Sequence, residues 1–210
     1  AKMVARDPSL AQDIGRLHAQ ICYIGGHDES AKGYGDESLC FNCGRSMKIN
    51  VYTADAVIAA LLIAMARAVK EETKKGIEFT KANRVHIDRL PFISTATKKR
   101  QSQAGYLGLI KPADPNGRSG YWVITTWGWK ALRGEQIPKS VKYWNRHLIE
   151  RSAEMTTLEE MMRTHLEKLA RQERYGEAVK QADHRSEFEG YNPREWAEFD
   201  GVVKQQTIFQ

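Results

Sequence analysis

The most regular apolar pattern in the chain runs from Tyr52 to Lys70, where Ala54, Val57, Ile58, Leu61, Leu62, Met65, Ala68 and Val69 recur at three- and four-residue spacing with no Gly or Pro between them. This spacing predicts a helix capped by Thr53, and the alanines on its other side predict burial around much of its circumference, at the centre of a core. A shorter pattern, Leu10, Ile14 and Leu17 after Ser9, predicts a helix ending near Cys22, and the Gly- and Asp-rich stretch 25–38 predicts a loop. Thr80 to Leu90 fits a second helix stopped by Pro91, although the alternation of Val85 and Ile87 equally suits a strand. Ser94 or Thr95 caps a helix reaching about Leu107, with Thr97, Ala104 and Leu107 inward. Leu109 to Lys111 and Tyr121 to Thr125 then flank a Pro/Asn/Gly loop and predict a hairpin, followed by a helix from Thr125 or Thr126 to Arg133 that Gly134 closes. Thr157 and Glu160 have capping-box spacing ahead of an apolar stripe formed by Leu158, Met161, Met162, Leu166 and Leu169. Past Gln181, charges and isolated aromatics alternate without a period, as expected of a tail that is disordered or is ordered by a partner.

These elements predict a mainly α chain with a small β-hairpin (α+β), in three parts: 1–50, 51–149 and 150–210. The longest apolar run, Ala56 to Ala66, is too short for a bilayer span, and the start AKMVARDPSL lacks a secretory apolar core, so a cytoplasmic protein with no membrane partner is expected. Charge divides the chain more sharply than hydropathy does. The net charge is +6, yet residues 91–149 carry 10 basic and 2 acidic side chains, whereas residues 150–210 carry 9 and 13. A positive block confined to one segment is the electrostatic footprint of a surface that meets phosphates, although a merely solvated basic face has the same composition.

Within that block, Tyr106-Leu107-Gly108-Leu109-Ile110, then Gly120-Tyr121-Trp122-Val123-Ile124-Thr125, then Gly128 and Leu132 resemble the winged helix-turn-helix domains of bacterial and phage-type DNA-binding proteins. The resemblance covers residues 51–134. It implies a recognition helix in the major groove of double-stranded DNA, a hairpin wing beside it, and a non-enzymatic role in transcription regulation. On this reading Lys98, Lys99, Arg100, Gln101 and Gln103 supply phosphate and base-edge contacts, Arg118 enters from the wing loop, and Lys111 and Lys130 flank it. Trp122, Trp127, Trp129 and Trp144 are suited to stacking on unpaired bases, but their positions favour core packing.

Cys40 and Cys43 have the separation that lets two thiolates reach one tetrahedral ion. His18 and Cys22, four residues apart on one helical face, complete a structural zinc set, with His27 competing for the fourth position. No phosphate loop, nucleophile elbow or paired metal-binding histidines with a glutamate appear in the sequence, so no catalysis is expected. Two roles remain open. One is a DNA-binding regulator, with residues 158–169 as a homodimer seam. The other is an interaction protein that inhibits or recruits a nucleic-acid enzyme or defence complex through its basic face or its acidic tail.

Overall fold

A computed structural model describes residues 49–91, 93–114, 119–144, 147–174 and 183–199. They fall into two compact units. The smaller contains residues 49–52 and Ser140–Ser152, and the larger contains Thr53–Lys139 and 153–199. The division expected at residue 150 is therefore displaced: the segment beyond Ala153 belongs with the central helix, and Ser140–Ser152 does not.

In the smaller unit, β1 (Ile49–Thr53), β6 (Ser140–Trp144) and β7 (His147–Arg151) form a sheet in the order β1-β6-β7. Strands β6 and β7 are antiparallel, with an irregularity at Lys142/Tyr143. Tyr52 meets Tyr143 edge-on at 5.9 Å, and Lys142 pairs with Glu150 at 3.1 Å.

The larger unit is built around α1 (Ala56–Lys74). Its buried residues include Ile58, Leu61, Leu62, Ile63, Met65 and Val69, each at most 1% exposed. The helix begins later than its apolar pattern suggests. Thr53 ends a strand, and the cap is Asp55, whose carboxylate accepts from the Ile58 backbone N–H at 3.0 Å. Packed around α1 are α2 (Phe79–Ala82), α3 (Thr95–Lys98), α4 (Gln101–Tyr106), α5 (Thr126–Leu132), α6 (Leu158–Arg174) and α7 (Arg185–Phe188). The segment 80–90 resolves into the end of α2, the short strand β2 (Val85–His86) and a 3-10 turn at Ile87–Arg89. A three-stranded antiparallel sheet joins β2 to β4 (Tyr121–Ile124) and β4 to β3 (Ile110–Pro112), in the order β2-β4-β3. The strands β5 (Ile137–Pro138) and β8 (Met155–Thr156) make a separate pair.

Two polar clasps fix this arrangement; Thr125 was legible as a cap, but its second bond and the Asn83 clasp were not visible as motifs. Asn83 is buried just before β2, where its side-chain amide donates to the Ile124 carbonyl and its carbonyl accepts from the Ile124 N–H, both at 3.1 Å. One side chain thus extends the β2–β4 pairing by two residues, from Val85 and Trp122 to Asn83 and Ile124. Thr125 caps α5 by accepting from Gly128 N–H at 3.1 Å, while its hydroxyl donates to the Gly108 carbonyl at 2.6 Å. The same turn brings Gly128 so close to the residue before β3 that a Cβ there would lie 2.2 Å from the Leu109 carbonyl oxygen.

Residues 183–199 dock on the same unit, which corrects the expectation of a tail that is disordered or ordered by a partner. Trp196 is buried with its ring 6.3 Å from that of Trp129, Lys70 pairs with Glu195 at 3.3 Å, and the Tyr191 hydroxyl donates to the Leu132 carbonyl at 2.8 Å. Burial, reinforced by nearby Glu159, raises the Tyr191 phenol above its ordinary pKa. The stripe at 158–169, read as able to dock on the core or on a second chain, docks on the core. Leu158, Met161, Met162 and Leu169 are buried and α6 packs on α1; the stripe passes through His165 and leaves Leu166 exposed. The capping box is half-formed: Thr157 Oγ1 accepts from Glu160 N–H, but the Glu160 carboxylate accepts from the Thr156 hydroxyl.

Gly128→Ala should reverse the usual gain of a Gly-to-Ala change in a helix. We expect a loss of about 2–3 kcal/mol by denaturant unfolding, because backbone, not a flexible side chain, blocks the new methyl group. Asn83→Ala should lower stability by about 2–4 kcal/mol, since it leaves both backbone groups of Ile124 buried without the amide that satisfies them. Asn83→Asp should not restore it, because a carboxylate has no donor for the Ile124 carbonyl. Wild-type thermal stability in either variant would disprove the clasp.

Candidate nucleic-acid interface

The segment read as one helix is two. The helix α3 starts at Ser94, whose hydroxyl accepts from Thr97 N–H at 3.0 Å, and it ends at Lys98. Arg100, with ψ near −2°, then starts α4 on a new path. The inward set is as expected: Thr97, Ala104 and Leu107 are buried, and both helices contact α1. Gly108, at φ 76°, turns the chain out of α4, so that Leu109 N–H reaches back to the Ala104 carbonyl at 3.0 Å and Leu109 and Ile110 enter the core. At the other end of the hairpin, Gly120 has φ 71° and a Cβ there would lie 2.8 Å from His86 Nε2, so no other residue fits without displacing that ring.

The outward residues separate into two groups. Lys99 and Lys111 are exposed and make no ion pair among the described residues, and the side chain of half-buried Gln101 makes no hydrogen bond there. Four others have partners within the chain. Lys98 donates to the Asp88 carbonyl at 2.7 Å, and Lys130 lies 3.7 Å from Glu135. The Arg100 guanidinium donates to Gln103 Oε1 and pairs with Asp55 at 3.5 Å. Lys98, Arg100, Gln103 and Lys130 were all expected to point at nucleic acid. Arg100 instead ties the first residues of α4 to the cap of α1, which makes it a positioning residue. Arg118 lies outside the described residues.

Sequence reasoning overlooked Arg84 and Asp55. Arg84 pairs with Asp114 at 3.0 Å and stands over the Tyr121 ring at 6.0 Å, bracing β2 against the base of the hairpin loop. Asp55 was hidden by the assignment of the cap to Thr53. Of the tryptophans, Trp129 is core, Trp122 is half-buried with its ring 3.4 Å from where a Gly105 Cβ would stand, and Trp127 is exposed. Core packing therefore describes Trp129 fully, Trp122 in part and Trp127 not at all.

His18, Cys22, Cys40 and Cys43, the expected zinc ligands, and the competing His27 lie outside the described residues. Among the described residues no group of three or more His, Cys, Asp or Glu is placed to hold a metal. No described helix is long and apolar enough to cross a membrane. Compared with protein-family models, curated protein sequences and solved structures, the chain gives no significant match.

The division of labour among the cations has a direct readout. Arg100→Ala should lower unfolding stability measurably, by about 0.5–1.5 kcal/mol, because it removes an interhelical tie. Lys99→Ala should leave stability within about 0.5 kcal/mol of wild type. Equal stability of the two variants would remove Arg100 from its positioning role.

Proposed function

We propose that residues 53–139 form a winged helix-turn-helix module that binds double-stranded DNA without catalysis, in a transcriptional regulator of bacterial or phage type. The observation that carries this reading is the sheet order β2-β4-β3, with the helix pair α3–α4 inserted between β2 and β3 and a hairpin joining β3 to β4. That connectivity supports reading α4 as the recognition helix and the segment between β3 and β4 as the wing. The positive block supplies the electrostatic attraction, since segment 91–149 carries 10 basic against 2 acidic side chains. Lys99 and Lys111 are the exposed phosphate contacts, Gln101 is the base-reading side chain nearest the start of α4, and Arg118 extends the surface from the wing. A structural zinc held by His18, Cys22, Cys40 and Cys43 belongs to the same proposal and is supported by their spacing.

The test is fluorescence anisotropy of the full chain on a labelled duplex across a salt series. Wild type should bind with affinity that falls steeply with salt, and Lys99→Ala and Lys111→Ala should each flatten the log–log slope by about 0.9. Lys130→Ala, whose ammonium pairs with Glu135, should change it less. No duplex binding at low salt, or slopes indifferent to both Lys99 and Lys111, would overturn the assignment. Elemental analysis should find one equivalent of zinc, lost in Cys40→Ser; a folded protein without metal would remove the zinc.

A further inference from the structure

Beside the positioning network lies a cavity of about 450 Å³ within the larger unit, bounded by the start of α1, the α3–α4 turn, the β5–β8 end and α6. Ala56, Val57, Ala96, Met155 and Met161 give it an apolar wall. Its charged lining is asymmetric in what it leaves unsatisfied. Every acid has a partner: Asp55 caps α1 and pairs with Arg100, Glu154 pairs with Lys139, and Glu160 accepts from the Thr156 hydroxyl. The basic side is incomplete. Lys168 is exposed at the cavity and makes no ion pair among the described residues. His184 lines the same cavity and is 1% exposed; its Nδ1 faces the Glu187 carboxylate at 3.3 Å, and its Nε2 is buried with no hydrogen-bond partner among the described residues.

We propose that this cavity binds a small organic acid, an apolar body carrying one carboxylate or phosphate head, and that Arg100 senses its presence. The volume lies within the range of small-molecule sites, and the apolar wall with a few convergent polar groups is their usual construction. The head meets the Lys168 ammonium, the cation of the lining that makes no ion pair among the described residues. A neutral ligand leaves Lys168 unpaired. Arg100 also lines the cavity and already divides its guanidinium between Asp55 and Gln103. An anion there competes for that guanidinium and loosens the tie at the first residues of α4.

The experiment is isothermal calorimetry on the full chain with three probes that share one body: 4-methylpentanoate, isopentyl phosphate and the neutral 4-methylpentanol. At least one acid should bind and the alcohol should not; the better of the two acids identifies the head group. Lys168→Gln, a change at an exposed position, should weaken the acid by about tenfold while thermal melting stays at the wild-type value. Binding by neither acid, equal binding by the alcohol, or an unchanged affinity in Lys168→Gln would overturn the site. The link to DNA rests on the function proposed above and is measured separately, as duplex affinity with and without saturating acid. A shift of about threefold or more supports the link, and an unchanged affinity overturns it. Failure of the duplex to bind at all counts against the DNA reading and leaves the calorimetric result intact.

Discussion

A helix that is apolar on nearly all sides cannot be left half in water, and α1 is such a helix. Its buried set occupies ten of its positions and includes consecutive residues from Ile58 to Ile63, so no single partner face can cover it. Burying each large aliphatic side chain stabilises by about 1.5–3 kcal/mol. Leaving a flank of this helix open would forfeit several such contributions. The other elements of the larger unit therefore act as a jacket. The helix pair α3–α4 covers one flank, α6 another, and the β2-β4-β3 sheet with α2 a third, while α7 packs against the helix beside α6.

That demand accounts for two outcomes at once. The α6 stripe was read as able to dock on the core or on a second chain, and the C-terminal aromatics as a tail that is disordered or ordered by a partner, because each looked unpartnered when considered alone. Both are drawn onto the core of the same unit. The helix α6, with Leu158 and Leu169 buried, packs on α1, and the Trp196 ring lies 6.3 Å from that of Trp129. Local patterns reveal that a face is apolar. They do not reveal which of several apolar faces will meet it, and a helix apolar all round raises the number of faces required.

Legibility followed the same line. The core helix, the hairpin strands, the Thr125 cap, the inward trio Thr97, Ala104 and Leu107 and the closing Gly134 could be read from period and turn chemistry, because each depends on residues close in sequence. The Asn83 clasp joins residues forty-one positions apart, and the Gly128 approach is to a backbone carbonyl; neither leaves a periodic signal. The break between α3 and α4 was missed for a different reason. Thr97 and Ala104 are seven residues apart, nearly two full turns, so one straight helix and two bent ones place them inward alike. The cap of α1 was misplaced by two residues because Ile49 to Thr53, with β-branched residues at alternate positions, forms a strand that takes Thr53 with it.

The candidate surface shows why net charge is a poor guide to contacts. Segment 91–149 keeps its positive field wherever its side chains point, since the field at a distance depends on the sum. Contact with a phosphate depends on individual donors, and four of the eight side chains first assigned to that task are held by groups of their own chain. The pairing of Arg100 is the informative case. A guanidinium shared between the cap of one helix and the first turn of the next cannot also grip a phosphate without giving up a partner. The basic patch therefore has a paired part, in which Arg100 ties the start of α4 to the cap of α1, and Lys99 and Lys111, which make no ion pair among the described residues. A charge count merges these parts.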